Sequence, residues 1–123
     1  MCIIFFYLGN INTLRLVTER HEYTKHVGRV EVFHNGKWGT ICDKSWSIED
    51  ATVVCKMLGF PGAVKAVSSS RLGSGAGDIW LSDVQCTGKE KSIFGCRHAG
   101  WGVNNCLHSQ DAGVICQTGK YIQ

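Results

Sequence analysis

Short alternating runs of apolar and polar residues dominate the chain, and one stretch breaks into helical spacing. Leu14-Arg15-Leu16-Val17 predicts a short strand, and the polar span from Thr18 to His26 predicts a loop. Val27 to His34 is rich in strand formers and is followed by Asn35-Gly36, then by Lys37 to Cys42. Asn-Gly between two such runs predicts a hairpin, because a type I′ turn needs positive φ at both central positions. Alternation puts Val30 and Val32 on one face and Arg29, Glu31 and Phe33 on the other, with Trp38, Thr40 and Cys42 sharing a face of the returning strand. Ile48, Ala51, Cys55 and Leu58 then recur at helical spacing. Ser47 offers an N-cap, Glu49 and Asp50 suit the positive end of the dipole, and Gly59 and Pro61 end the helix, which is predicted over Ser47 to Leu58. Ala63 to Val67 and Ile79 to Val84 predict strands, Ser92 to Gly95 a helical turn, and Val114 to Cys116 a closing strand. Ser68 to Gly77 reads as a loop and Gly100-Trp101-Gly102 as a corner. One helix among several short strands implies an α+β fold rather than βαβ winding.

Composition narrows this to one domain. The chain has 123 residues, 44% hydrophobic and 19% charged, an ordinary globular balance that argues against a disordered tail or a coiled coil. Fifteen glycines against one proline suggest a loop-rich fold with tight glycine corners. Thirteen Lys and Arg against ten Asp and Glu leave only +3, without the dense basic stripe of a nucleic-acid binder. The apolar run Cys2 to Leu8 is far shorter than the ~20 residues that span a bilayer, and it lacks a basic leader and a small-residue cleavage site. It reads as an edge strand or an apolar tail. A sharper reading is that the chain was cut from a longer gene product whose signal or membrane anchor lies elsewhere. Residues 1–13 are therefore set aside as a segment and linker, 14–117 as the domain, and 118–123 as a tail.

Seven cysteines change the picture most. A chain this small buries only about two-thirds of its unfolded surface, so covalent cross-links would offset a thin core and place it in an oxidising compartment. Apart from Cys2, six remain: Cys42, Cys55, Cys86, Cys96, Cys106 and Cys116. An even six fits three disulfides, with many possible pairings. Zinc competes, since His98 and His108 lie near Cys96 and Cys106, but structural zinc sites bring ligands in close pairs and no Cys-x₂-Cys occurs. A catalytic thiolate is disfavoured among so many cysteines in one small domain.

Other motifs are weaker. Gly73-x-Gly75-x-Gly77 precedes a strand, not a helix N-terminus, and reads as a turn rather than a phosphate loop. His108, Ser109 and Asp111 are triad residue types, but closeness in sequence is not triad geometry, and His108 reads as a core or loop-fixing histidine. Trp38, Trp46, Trp80 and Trp101 read as core rather than as ligand platforms. Basic residues supply a route to anions: Arg29 and Lys37 flank the hairpin, Lys44 follows it, and Lys89, Lys91 and Arg97 gather around Cys86 and Cys96.

Several blocks, in order, resemble the scavenger receptor cysteine-rich (SRCR) domain family. They are Gly28 to Asp43, with Gly-Arg-Val-Glu-Val and Trp-Gly-Thr-Ile-Cys-Asp; Val53 to Phe60; Gly77 to Cys86; Gly100-Trp101-Gly102; and Asn105 to Cys116. The resemblance covers about Leu14 to Gln117. The two further cysteines of the eight-cysteine group would fall near His26 and Phe60 and are absent, so the chain is similar to the six-cysteine type. That implies pairs Cys42–Cys106, Cys55–Cys116 and Cys86–Cys96, and a curved antiparallel β-sheet cradling one α-helix.

The same resemblance implies binding rather than catalysis. The expectation is an extracellular recognition module, secreted or in the ectodomain of a membrane protein anchored outside this chain. It would scavenge protein, polyanionic or microbial-surface ligands in innate immunity. The alternative is a structural or regulatory module beside a catalytic domain, such as a protease, outside the chain. Many members carry calcium. Here one family site keeps Asp43 but has Lys44 and Gln110 for its other acids, and a second keeps Asp83, Asn105 and Asp78 but has Ser82 for its first acid. Calcium is thus an expectation resting on Asp43, Asp78, Asp83 and Asn105. The basic set Arg29, Lys37, Lys44, Lys89, Lys91 and Arg97 is the expected anion-binding surface.

Overall fold

In a computed structural model, residues 13–18 and 25–118 are described. The expectations for Cys2 to Leu8 and for the last five residues lie outside that range. Strands β1 (Leu14–Val17), β2 (Val27–His34), β3 (Lys37–Ile41), β4 (Ala63–Val67), β5 (Ile79–Leu81) and β6 (Gly113–Cys116) form one sheet, and α1 (Ile48–Met57) packs on it.

β2 is the spine. β1 runs along one edge at residues 29–32, while the opposite edge is divided between β3 at residues 31–34 and β6 at residues 27–29. Asn35 (φ 53°) and Gly36 (φ 80°) make the turn that reverses β2 into β3, as the Asn-Gly pair predicts. β4 extends the sheet beyond β6, and β5 joins β3. That last pairing is parallel, so the sheet is antiparallel-rich rather than antiparallel throughout. Two strands sharing one edge of the spine curl the sheet into a half-barrel around the core.

Local chemistry explains α1. The Asp50 carboxylate accepts from the Ser47 backbone N–H at 2.8 Å and from the Ser47 hydroxyl at 2.9 Å, which closes the first turn. Its other oxygen accepts from the Cys86 N–H at 2.7 Å and so reaches out to the loop beyond β5. Burial pushes the Asp50 carboxyl above the ordinary aspartate value, against the pull of these bonds. Asp50, Ala51, Val53, Val54 and Cys55 are buried, while Ile48 is 43% exposed. The helix therefore turns a face centred on Val53 and Val54 inward, and Ile48, expected in the apolar stripe, lies at its outer end.

Val30, Val32, Ile41, Val53, Val54, Leu81, Val84, Ile93 and Val114 fill the core without exposure. The tryptophans, expected in the core, fringe it instead. Trp46 and Trp80 pack against it and donate to the Gly113 carbonyl at 2.9 Å and the Lys37 carbonyl at 3.1 Å. Trp101 is 38% exposed and stacks on His34 at 3.8 Å. The strand expected to run to Val84 stops at Leu81, because Asp83 takes φ 58° and leaves the extended region.

Three disulfides join Cys42 to Cys106, Cys55 to Cys116 and Cys86 to Cys96, the pairs that the family resemblance implies. The second pins α1 to β6. Replacing Cys55 and Cys116 together by Ala is expected to cost about 2–5 kcal/mol. Urea unfolding followed by tryptophan fluorescence measures this, and an unchanged midpoint contradicts the role given to that bridge.

Candidate functional site

The hairpin face expected to meet solvent is covered. Arg29 is 3% exposed and Glu31 7%, although strand alternation sets both opposite the valine face. β1 brings Arg15 across from Glu31 in register, and the guanidinium donates to Glu31 Oε1 from Nε at 2.9 Å and from Nη2 at 2.7 Å. Arg29 Nε donates to the other carboxylate oxygen at 3.0 Å. One carboxylate thus holds two guanidinium groups. Arg15 also lies over the Trp38 ring, 4.0 Å from its centroid, where the ring quadrupole favours a cation.

The third wall comes from the loop between β4 and β5. Gly75 passes so close that a Cβ there would sit 2.6 Å from the Thr40 methyl and 3.1 Å from Arg29 Nε, so only glycine fits. Its N–H donates to Asp111 Oδ2 at 2.8 Å, and Ser70 N donates to the Asp111 carbonyl at 3.1 Å. The result is a cleft of about 340 Å³ between Arg15, Arg29, Glu31, Trp38 and the Ser74–Ala76 backbone. Arg29 Nη1 is buried beside it without a hydrogen-bond partner, as is Thr40 Oγ1. An orphaned buried guanidinium nitrogen is costly unless something completes it.

The remaining expected residues are scattered. Lys37, Lys44, Lys89, Lys91 and Arg97 are exposed. Lys44 and Arg97 both stand near Asp83, while Lys89 and Lys91 lie within the loop closed by Cys86–Cys96. Arg29 leaves this surface set, because the fold buries it against Glu31. Arg15 and Trp38, which sequence reading did not assign to the site, enter it. Their meeting depends on β1 docking beside β2, which sets Arg15 against Glu31 16 residues away and which no local pattern announces.

Two of the expected calcium donors, Asp43 and Asp83, are engaged by the protein's own donors. Asp43 Oδ2 accepts from Ser69 N at 2.8 Å, and Gln110 Oε1 is taken by Leu107 N at 2.9 Å. Asp83 accepts from the Ser45 hydroxyl and, at 3.2 Å, from Gln85 Nε2, bonds that together with nearby Lys44 and Arg97 hold its carboxyl below the ordinary value. Among the described residues, the one close group of three His, Cys, Asp or Glu side chains is Cys86, Glu90 and Cys96, and its cysteines are joined to each other. Asp43, Asp78 and Asp83 do not converge, and Asn105 brings one amide oxygen where six to eight oxygens are needed. Isothermal titration with calcium is expected to give only heats of dilution, and a heat abolished by Asp83→Ala would restore the second site. Removing the shared carboxylate by Glu31→Ala leaves a buried cation unpaired and is expected to cost about 3–5 kcal/mol in urea unfolding. A loss no larger than for Arg15→Ala contradicts the central place of Glu31.

The comparisons place this architecture. The family profile described as "Scavenger receptor cysteine-rich domain" matches residues 20–117. Lysyl oxidase homolog 4 of Bos taurus is 48% identical over 94 residues, covering 76% of this chain and 12% of that protein. Galectin-3-binding protein of Pongo abelii is 51% identical over 89 residues, covering 72% of this chain and 15% of that protein. The chain therefore spans about one-eighth of the length of such relatives. Among solved structures, the dimeric form of the SRCR domain of mouse MARCO superposes with TM-score 0.70 at 49% identity over 74% of this chain and 86% of that one. The third SRCR domain of murine neurotrypsin gives 0.75 at 47% identity over 84% and 94%. With three disulfides, a half-barrel sheet and one α-helix among its described residues, in common with these neighbours, the chain belongs to the scavenger receptor cysteine-rich domain family, a non-catalytic module.

Proposed function

We propose that this domain is an extracellular recognition module whose ligand, a protein, polyanion or microbial-surface molecule, presents an anionic group to the Arg29 cleft. The observation that carries the reading is a cleft of about 340 Å³ lined by both Arg15 and Arg29, wide enough for a sulfate or carboxylate. Arg15 and Arg29 both donate to Glu31 on one wall of this cleft. A planar guanidinium suits an oxyanion better than an ammonium would. Lys37 and Lys44 are exposed as well. Three disulfides favour an oxidising, extracellular setting. Among the described residues no helix is long and apolar enough to cross a membrane.

A second reading has its own support. The relatives are much longer than this chain, and several carry the name lysyl oxidase homolog. In that context the domain would be a non-catalytic module positioning a catalytic domain encoded elsewhere in the same protein.

The first reading predicts retention on a heparin or dextran sulfate column that weakens as salt rises, because surface charge is screened. Arg29→Gln is expected to lower retention well beyond Lys89→Gln. A circular dichroism spectrum matching the parent separates lost binding from lost fold, and an NMR titration of the parent Arg29 guanidinium with inorganic sulfate gives a readout free of mutation. Retention indifferent to ionic strength, or an Arg29 resonance unmoved by sulfate, overturns the reading.

A further inference from the structure

The loop that walls the cleft is fastened at one point by a histidine in an unusual bonding position. His108 sits in a 3₁₀ turn (His108–Gln110) just before β6. Its Nδ1 lies 2.9 Å from Asp111 Oδ2, and its Nε2 lies 2.9 Å from the Gly77 carbonyl oxygen. A carbonyl oxygen can only accept. Asp111 Oδ2 already accepts from Gly75 N, and the Asp111 side chain is fully buried. A neutral imidazole has one N–H and one lone pair, so it satisfies one of these contacts and turns a lone pair on the other. An imidazolium donates to both. The geometry therefore calls for the charged ring.

We propose that His108 is a proton-operated latch: as imidazolium it ties Gly77 to Asp111 and clamps the Gly73–Gly77 loop against the Arg29 cleft, and on losing its proton it frees the Gly77 end of that loop.

The segment is built for such local release. It carries three glycines, of which Gly73 and Gly77 adopt φ 104° and 81°, and Gly77 is exposed. Its other end stays anchored, because Ser70 bonds both to the His108 carbonyl and, at 2.8 Å, to Asp111 N–H. Loss of one proton would therefore open one end of a loop, not unfold the domain. The charged groups facing the ring are Asp111, which favours the imidazolium, and Arg29 across the cleft, which opposes it and is itself paired to Glu31. Partial burial opposes the charge most strongly, yet the bonds to Gly77 and Asp111 outweigh it and His108 is raised above the ordinary value. A folded-state pKa above the unfolded value means the stabilisation is complete below about pH 6.5 and is lost as pH rises through the folded pKa. The latch is thus closed in acid and opens towards alkaline pH. It does not depend on what the cleft binds.

NMR on the whole chain tests this without a variant. Between about pH 5.5 and about pH 8.5, the His108 ring nitrogens should both be protonated at the acid end, with a midpoint above the ~6.5 of an ordinary histidine. Amide exchange at Gly75, whose N–H bonds Asp111, corrected for intrinsic rate, should lose protection roughly tenfold or more through that midpoint, the order set by one charge-assisted hydrogen bond. The Ser70 amide should keep its protection. His108→Gln, which does not titrate, should flatten the pH dependence at Gly75. A midpoint at or below the ordinary value, or protection unchanged across it, overturns the latch, whatever the column and sulfate experiments say about the cleft.

Discussion

The two long disulfides, Cys42–Cys106 and Cys55–Cys116, close loops of 64 and 61 residues, and the rest of the structure depends on that closure. Each removes on the order of 4 kcal/mol of chain entropy from the unfolded state in the simple loop model. That is comparable with the whole stability of a small domain. The core needs the help, because its filling is largely valine, with Ile41, Leu81 and Ile93 as its largest fully buried members. Cys55 faces inward from the last turn of α1, and Cys116 ends β6, so the bridge fixes the helix on the sheet. Cys42 continues β3 and meets Asp111 in an isolated bridge, so the other disulfide fastens the 3₁₀ region beside the cleft. With the frame held covalently, long loops can stay irregular and still keep a defined shape.

Charge burial follows from that frame. Placing Glu31 on the covered face of β2 would be unfavourable alone, and the fold offsets it with two arginines from different strands. Arg15 remains about one-third exposed and is backed by Trp38, whereas Arg29 is buried almost completely. The two cations are therefore unequal. Arg15 is the more accessible of the two, and Arg29 Nη1 is buried without a hydrogen-bond partner. A recognition group that is rigid, charged and short of one acceptor binds without a large ordering cost. Exposed lysines such as Lys89 and Lys91 share its sign and lack that preorganisation.

Much of the frame was legible from local pattern. The Asn35-Gly36 hairpin, the Ser47 cap and the end of α1 each follow from a rule acting within a few residues, and the family blocks carry the disulfide pairing. What escaped depends on contacts between distant segments. Arg29 was expected on an open surface because alternation describes two faces and says nothing of what covers them. Here β1 and the Gly75 passage cover the second face. β5 ended early because Asp83 turned to bond Ser45, 38 residues away. The calcium expectation rested on residue types at matching positions, and two of its acids, Asp43 and Asp83, accept hydrogen bonds from the distant Ser69 and Ser45. Sequence named the glycines of the loop and His108, but their union needed coordinates, since Gly77 and His108 stand 31 residues apart.

Asp111 shows how the parts are coupled. Its backbone N–H and carbonyl are both engaged by Ser70, its carboxylate accepts from Gly75 and bonds His108, and its neighbour across the bridge is Cys42. A fully buried carboxylate depends on its hydrogen-bond donors, because burial strips it of water. Position is supplied by the Cys42–Cys106 bridge and β6, which do not titrate. The loop end at Gly77 is supplied through His108, which does. The domain thus divides its stability between covalent links that ignore pH and a single imidazole contact that responds to it. Because the responsive contact is made at Gly77, next in the chain to the Ser74–Ala76 wall of the cleft and not in the core, a change in protonation loosens that end of the loop while the fold beneath it stays as it is.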